Sequence, residues 1–287
     1  MYVVAGATGR VGSAVARQLL SEDAEVRALV RRQVDADGWE AQGAGARIVS
    51  LDDRSTLTEA LAGCAGFFAL LPFDLTTNDL NEHTERLVES IAGAVAGAAV
   101  PHVVLLSSGG ADLAEGTGPI AGLHCAEVAL RATGTVLSAL RSVHFQEKLA
   151  DVLDTARESG IYPVFAGSAD VSVPMVATAD LGAVAADVLQ SPPSVSEAID
   201  VLGPSYSERA VAAVLGRALG QELTVEVIPE EVWADVLTEA GFRPRIAASL
   251  AELYRADQQG LLAPRGDRQV SGHTPIDVTI DRLLAAS

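Results

Sequence analysis

The stretch VVAGATGRVGSAVARQLL, residues 3–20, decides the fold, because three glycines spaced three apart join an apolar run to a helical pattern. Glycine lets the backbone turn tightly and lets a pyrophosphate approach main-chain N–H groups without a Cβ in the way, and the following helix adds a partial positive charge. The spacing is G-x-x-G-x-x-G rather than G-x-G-x-x-G, so Gly6, Gly9 and Gly12 alone are also compatible with a simple strand–helix turn. Their place after a first strand and before a helix favours a nucleotide-phosphate site.

Apolar runs and helical patterns alternate along the first half of the chain. Six runs are predicted as strands, at residues 2–6, 24–30, 46–52, 66–72, 100–108 and 136–142. Helices are predicted between them, among others at 55–64 (with Ser55 or Thr56 as the cap), 81–98 and 125–134. Strands that are apolar throughout are typical of a parallel sheet covered on both faces, so this half is predicted to be an α/β unit.

The alternation loosens after about residue 150. Further helices are predicted at residues 151–160, 178–190, 207–220, 230–241, 247–257 and 276–286. One more strand is predicted at 197–204, and residues 261–275 are predicted to be a loop. These patterns divide the chain into residues 1–150 and a partly interleaved second part, residues 151–287.

The chain is strongly acidic. Its 287 residues carry 38 acidic and 20 basic side chains, a formal net charge of −18. Such a field repels nucleic acid and anionic membranes, so neither is expected as a partner, although a locally basic pocket can still hold phosphates. No apolar stretch reaches the ~20 residues of a membrane span, and no secretory signal is visible at the N-terminus. These observations predict a cytoplasmic protein and leave its oligomeric state open.

The cysteines and histidines indicate neither a disulfide framework nor a metal site. The two cysteines, Cys64 and Cys125, have no metal-ligand spacing. The five histidines are scattered along the chain, and none forms a His-x-x-x-His pair. We therefore predict no metal.

The end of the second predicted strand bears on which dinucleotide would bind. An acidic side chain there would hold the adenosine ribose hydroxyls of NAD, whereas this chain has Arg31 and Arg32. Guanidinium groups match a 2′-phosphate in geometry and charge, so the pair favours NADP, and Arg10 in the glycine turn is a further candidate contact. Asp52 and Asp53, after the third strand, either contact the adenine edge or cap the next helix, and capping is the commoner role.

Taken together, these segments resemble the NmrA-like group of atypical short-chain dehydrogenase/reductases nearly end to end. GATGRVG (6–12) is similar to the group's Gly-Ala-Thr-Gly-x-x-Gly opening, and LVRR (29–32) to its NADP-selecting arginine segment. The order and spacing of later segments carry the rest of the resemblance: GCAGFFALLP (63–72), VVLLSS (103–108), HCAEVALRATGTVLSALRSVHFQEKL (124–149), VATADLGAVAADVL (176–189), GPSYSERAVAAVLGRALG (203–220) and GHTPIDVTIDRLL (272–284).

The resemblance implies an α/β fold with a Rossmann-type doubly wound parallel sheet and a smaller C-terminal region that closes over a substrate. Residues 1–150 would bind NAD(P), and residues 151–287 would bind the substrate. The implied cofactor is NADP, with NADPH preferred and NADH possible. The residues implied to contact it are Gly6, Thr8, Gly9, Arg10, Val11, Gly12, Arg31, Arg32, Asp52, Leu70, Leu71 and Pro72.

The chain departs from the usual short-chain reductases at the proton donor. These enzymes protonate the carbonyl oxygen with a tyrosine assisted by a lysine four residues on, but the corresponding segment, GPIAGLHCAE (118–127), contains neither. The growing alkoxide still needs stabilisation by hydroxyl or imidazole donors. Ser107, Ser108 and His124 are the candidates, with His144 a further one, although serines at a strand end commonly cap turns. A phenol on the substrate would be another proton source.

Three functions therefore remain open, the last being an isomerase or a reductase of another substrate class. The first is an NADPH-dependent ketoreductase that transfers hydride to a ketone or quinone of a polycyclic aromatic small molecule, as in the tailoring of aromatic polyketide antibiotics. The second is a non-catalytic NAD(P)-sensing regulator that lost the tyrosine–lysine pair and acts through a protein partner. The group contains both reductases and non-catalytic sensors, so the site has to discriminate between these functions.

Overall fold

The computed structural model describes residues 1–74, 76–77 and 79–286. Its strands are β1 Tyr2–Val4, β2 Val26–Val30, β3 Gly45–Ile48, β4 Gly66–Ala69, β5 His102–Ser108, β6 Val136–Ser142, β7 His144–Phe145, β8 Ile161–Val164, β9 Ser172–Val176, β10 Glu197–Leu202, β11 Ser205–Ser207, β12 Thr224–Val227 and β13 Arg268–Ser271. Its α-helices are α1 Arg10–Ser21, α2 Gln33–Glu40, α3 Arg54–Leu61, α4 Leu80–Gly97, α5 Ala121–Ala132, α6 Leu153–Ser159, α7 Thr178–Gln190, α8 Glu208–Leu219, α9 Trp233–Glu239, α10 Pro244–Gln258 and α11 Ile276–Ala286.

Eight strands form one parallel sheet in the order β13-β10-β6-β5-β4-β1-β2-β3. The chain runs outward from β1 to β3, then crosses to the other side of β1 at β4 and continues outward to β6. This reversal places a topological switch point between β1 and β4, where open α/β sheets bind their ligands. The predicted α/β fold, a doubly wound parallel sheet, is confirmed.

Neighbouring residues of the central strands point into different layers, because side chains alternate along a strand. On one face, Val3, Phe67 and Val103 pack with helices α3, α4 and α5. On the other face, Val4 and Phe68 pack with α1 and α7. Both layers exclude water from the strands, which explains why the strands read as continuous apolar runs.

The second half of the chain both completes the sheet and adds a smaller unit. Helix α7 packs on α1, and the contact is so close that a Cβ at Gly182 would overlap Ala14. A separate core joins α6, α8 and α11 to the small strands β8, β9 and β12. Residues from the second half of the chain therefore pack directly on elements of the first half.

Two local predictions are wrong. Residues 261–275 were expected to be a loop, but β13 lies within them and pairs in parallel with β10. Its four residues include one apolar side chain, Val270, because the strand lies at the sheet edge and most of it is exposed. The cap of α3 is neither Ser55 nor Thr56: Asp53 accepts hydrogen bonds from both of their backbone N–H groups, at 3.0 and 3.2 Å.

One property of the helices bears on membranes. Over residues 1–74, 76–77 and 79–286, none of the helices combines the length and the apolar character that crossing a bilayer requires.

Candidate functional site

The predicted cofactor and catalytic residues gather at the carboxyl edge of the sheet. The glycine turn follows β1, Arg31 and Arg32 follow β2, residues 70–72 follow β4, and Ser107 and Ser108 end β5. In a parallel sheet these positions share one edge, and this edge contains the switch point between β1 and β4. The topology therefore places the predicted residues together.

The glycine turn has a shape that side chains would destroy. Gly6 has a φ of +61°, and a Cβ there would lie 2.5 Å from Leu70 Cδ2. A Cβ at Gly12 would overlap the carbonyl oxygen of Gly6, which accepts a 2.8 Å hydrogen bond from the N–H of Gly9. The turn therefore requires glycine at Gly6 and Gly12, whereas Gly9 has an ordinary φ of −90° and a Cβ there would only be a tight contact, 3.3 Å from the Gly6 carbonyl oxygen.

The N-terminus of α1 can hold an anion. Gly9 is the N-cap and offers no side-chain hydrogen bond to the helix, so the first N–H groups face the edge without a capping side chain. Thr8, Gly9 and Arg10 are exposed, whereas Val11 and Gly12 are buried beneath the turn. This exposed, uncapped helix start fits the pyrophosphate of a dinucleotide.

Arg10 also connects the turn to the second half of the chain. Its guanidinium donates a 3.2 Å hydrogen bond to the carbonyl oxygen of Glu147. The Glu147 carboxylate in turn caps α7, accepting from the backbone N–H and the hydroxyl of Thr178 at 3.0 and 2.6 Å. The turn, the segment after β7 and the start of α7 are thus held together.

The two arginines after β2 have different surroundings. The guanidinium of Arg32 donates two hydrogen bonds of 2.8 Å to both carboxylate oxygens of Asp35. These hydrogen bonds lower the pKa of the Asp35 carboxyl and raise that of Arg32. Arg31 is exposed and makes no hydrogen bond to the described part of the chain. A sequence motif cannot separate the two arginines, but the structure does.

The remaining predicted cofactor contacts line the same edge. Leu70 is half-buried against Gly6, Leu71 is buried, and Pro72 is exposed. Asp52 is exposed after β3, whereas its neighbour Asp53 is the cap of α3, and hydrogen bonds from Thr56 lower the pKa of the Asp53 carboxyl. Of the two roles considered for these aspartates, Asp53 has the capping one.

Ser107 belongs to a buried polar network. Its hydroxyl donates a 2.7 Å hydrogen bond to Glu127 of α5. The same carboxylate accepts two hydrogen bonds from Arg141 of β6, at 3.0 and 2.8 Å, and one from Arg131 at 3.0 Å. Ser107 is only 2% exposed and points into the α5 layer. Its hydroxyl is therefore engaged away from the sheet edge.

Ser108 and His124 are more open. Ser108 is half-buried at the end of β5. His124, in the first turn of α5, has its Nδ1 3.0 Å from the carbonyl oxygen of Ala111, so Nδ1 carries a proton and Nε2 is left for another partner. The two side chains flank the loop between β5 and α5.

Helix α10 crosses the same end of the sheet. Its residue Asp257 lies 3.1 Å from Nε2 of His144, which follows β6. Nearer the start of the helix, the backbone of Ser249 lies close to Gly118. A Cβ at Gly118 would overlap the Ser249 carbonyl oxygen. Helix α10 therefore spans from the start of α5 to the end of β6 and covers the region around the candidate proton donors.

Several residues with polar roles at or beneath this edge were absent from the predicted site, among them Glu147, which accepts from Arg10. Glu127 and Arg141 form the buried network, Asp35 holds Arg32, and Asp257 meets His144. An acidic residue in the first turn of α2, three after Arg32, is the one available signal for the Asp35 pair. In the described ranges, no three His, Cys, Asp or Glu side chains are arranged to hold a metal ion.

Fold and site together define a doubly wound α/β protein with a dinucleotide cradle at its switch point. The chain belongs to the NmrA-like family, whose sequence profile matches residues 2–263. The predicted family is thus confirmed.

The chain is also similar to individual characterised proteins. It is 28% identical over 257 residues to an NAD(P)H azoreductase of Xenophilus azovorans, covering 88% of this chain and 86% of the relative. Among solved structures, the triphenylmethane reductase of a Citrobacter species, in complex with NADP(H), has a TM-score of 0.81 at 23% identity over 99% of this chain and all of its own. An NADPH-dependent quinone oxidoreductase from Escherichia coli has a TM-score of 0.76 at 21% identity over 99% and 100%. These likenesses support the same fold.

Proposed function

We propose that the protein is an NADPH-dependent reductase of a quinone or a polycyclic aromatic ketone. The observation that carries this proposal is the uncapped glycine cradle, which lies at the same sheet edge as an open arginine after β2 and the proton donors after β5. The azoreductase, dye reductase and quinone reductase similar to this chain support the reaction class.

The chain's own groups would bind and orient the cofactor. The N–H groups of the first residues of α1 would hold the pyrophosphate. Arg31 would hold the 2′-phosphate, and Leu70 and Pro72 would border the cofactor after β4. When bound, NADPH supplies a hydride. Helix α10 would restrict water at the reacting end.

A proton has to reach the oxygen of the reduced carbonyl, because hydride addition leaves an oxyanion. Ser108 and His124 would stabilise this charge, and the proton on His124 Nε2 in its imidazolium form would move to the oxygen. The Ser107 hydroxyl is bound to Glu127, so its contribution would be to fix the end of β5. A phenol beside the ketone would serve as an alternative donor.

The dye reductase and the quinone reductase similar to this chain support an aromatic substrate. The aromatic side chains around Tyr254 of α10 form an internal cluster, and Trp233 in it is fully buried. The rings of Phe165 and Tyr254 are 5.3 Å apart, and Trp233 meets Tyr254 edge-on at 5.9 Å. A role in tailoring an aromatic polyketide remains part of this proposal. Cys64 and Cys125 are free thiols, which supports a cytoplasmic location.

Turnover of a substrate panel tests the function. The protein is mixed with NADPH or NADH and with quinones, hydroxylated polycyclic ketones and an azo dye, and loss of the reduced cofactor is followed by absorbance. We expect turnover of at least one quinone or ketone, with NADPH preferred. Tight cofactor binding without turnover of any panel member would instead favour the cofactor-sensing regulator.

Replacing His124 tests the proton route. We expect His124→Gln to lower kcat by about 100-fold, because general acid catalysis typically contributes 10²- to 10⁴-fold, while the dissociation constant of NADP⁺ stays unchanged. His273→Gln, on an exposed loop, is the matched control and should leave both quantities unchanged. A His124 variant with undiminished kcat would leave the proton to Ser108 or to the substrate.

A further inference from the structure

The Arg32–Asp35 pair is a built feature at the end of β2. Arg32 is the N-cap residue of α2, and Asp35 lies in the first turn of that helix. Both oxygens of the carboxylate accept from the guanidinium fork, and Asp35 is 17% exposed while Arg32 is 72% exposed. A carboxylate in the first turn also interacts favourably with the helix dipole, so two effects hold Asp35 in place.

This pairing changes the charge that a phosphate would meet. Arg31 and Arg32 contribute two positive charges and Asp35 one negative charge, which leaves a net charge of +1. The Nε and one terminal nitrogen of Arg32, which together form a bidentate face for a phosphate, already bind Asp35. Arg31 makes no hydrogen bond in the described ranges. Its charge also helps to lower the pKa of the Asp35 carboxyl, but the nitrogens of its guanidinium remain available.

We propose that Asp35 is a selectivity residue, which occupies the fork of Arg32 and leaves Arg31 as the principal ligand of the 2′-phosphate. The inference rests on the proposed dinucleotide function and deepens it. A single open arginine gives a moderate preference for NADP over NAD, because the fork that would strengthen the preference is held by the carboxylate. NADH then remains usable, and loss of the Asp35 charge sharpens the preference.

Calorimetric binding of NADP⁺ and NAD⁺ tests this inference without turnover, since the two ligands differ only in the 2′-phosphate. We expect Arg31→Ala to weaken NADP⁺ by about tenfold and to change NAD⁺ by less than about twofold, as loss of a charge-assisted contact would. Arg32→Ala should weaken NADP⁺ by only about threefold. Asp35→Asn should strengthen NADP⁺ by about threefold or more, because the released fork and the extra net charge both favour phosphate.

Asp37→Asn is the matched control for Asp35→Asn. Asp37 is an exposed carboxylate on the same helix and accepts a hydrogen bond from Gln33 rather than from an arginine. The Asp37→Asn substitution removes the same charge without freeing Arg32. The ratio of the dissociation constants for NADP⁺ and NAD⁺ should therefore stay within about twofold of wild type, as expected for a screened surface charge.

Different failures identify different errors. If wild-type protein binds neither dinucleotide, the proposed function fails and the inference falls with it. If both ligands bind, but Asp35→Asn leaves their ratio unchanged or Arg32→Ala matches Arg31→Ala, the role of Asp35 is wrong and the dinucleotide function stands. An equal effect of Asp35→Asn and Asp37→Asn would also overturn the inference, because net charge alone would then explain the result.

Discussion

Replacing Glu127 by alanine is expected to lower the free energy of unfolding by about 3–5 kcal/mol, the usual cost of breaking a buried ion pair by removing one partner. The Glu127 side chain is 2% exposed, and that of Arg141 is 9% exposed. Without the carboxylate, the guanidinium of Arg141 keeps Asp112, at 3.9 Å, and the more distant charge of Asp200, but no longer has a close bidentate acceptor. The Ser107 hydroxyl would also lose its acceptor. Urea unfolding monitored by circular dichroism measures the difference.

The exposed Arg209–Asp170 pair provides the control for this prediction. Its geometry is also bidentate, at 2.6 and 3.0 Å, but its side chains are 56% and 63% exposed. We expect Asp170→Ala to change the stability by no more than about 1 kcal/mol, as for most surface ion pairs. Equal losses at the two sites would show that burial does not govern the cost.

The pH dependence adds a second measurement. Burial raises the pKa of the Glu127 carboxyl, but hydrogen bonds from Arg141 and Ser107, with the charge of Arg141, outweigh it, so the pKa lies below its ordinary value. A depressed pKa contributes stability that is complete above the unfolded-state pKa, about 4.3, and is lost as the pH falls through the folded-state pKa. The gap between wild type and Glu127→Ala should therefore narrow below about pH 4.

A double variant separates the buried charge from the lost packing. Glu127→Leu leaves Arg141 uncompensated, whereas the double variant Glu127→Leu/Arg141→Met removes both charges and keeps apolar volume. We expect the double variant to be more stable than Glu127→Leu alone, since apolar replacements of buried ion pairs are often neutral or stabilising. If the double variant lost as much stability as Glu127→Leu and Arg141→Met lose together, this explanation would be contradicted.

The sequence predicted the central sheet because its signal is local. Strands β1 to β6 are apolar runs separated by helical patterns, and each can be identified within ten residues. The Glu127–Arg141 pair lies fourteen positions apart on a helix and a strand, and its contact exists only once α5 packs on the sheet. Likewise β13, with Val270 as its one apolar residue, becomes a strand because β10 presents an open edge.

The two serines of β5 show where closer attention to periodicity would have refined the predicted site. Val103 and Leu105 face the α5 layer, so the alternation along the strand also turns Ser107 toward α5. Ser108 then has the opposite orientation. The sequence predicted both hydroxyls at the end of β5. The alternation of side chains along the strand then turns Ser107 toward Glu127 and Ser108 toward the opposite face. Which group meets Ser107, by contrast, depends on α5 and could not be found from the strand alone.

The glycine turn yields the prediction with the largest expected effect on binding. In Gly12→Ala, the new Cβ would overlap the carbonyl of Gly6 and approach the carbonyl oxygen of Ala5. Both obstacles are backbone atoms, so no side chain can move aside, and the turn itself has to shift. Overpacking of this kind costs about 1–3 kcal/mol of stability.

The same shift would move the N–H groups that form the phosphate cradle. Losing two hydrogen bonds to a charged group, at about 1.5 kcal/mol each, corresponds to a roughly 100-fold weaker binding of NADP⁺. We expect this loss for NAD⁺ as well, because both ligands share the pyrophosphate, and calorimetry on the folded variant measures it. Equal losses of affinity for NADP⁺ and NAD⁺ in Gly12→Ala would indicate a contact with the shared pyrophosphate. Arg31→Ala, by contrast, is expected to weaken NADP⁺ much more than NAD⁺.

Gly38→Ala is the control for Gly12→Ala. Gly38 lies inside α2, where a Cβ would have no atom within 4 Å. Alanine there should leave dinucleotide binding unchanged and raise the stability by about 0.5–1 kcal/mol through helix propensity. Because both variants add one methyl group to a helical glycine, any difference between them comes from the atoms around the turn. If Gly12→Ala still bound NADP⁺ at wild-type affinity, the turn after β1 would not be the phosphate site.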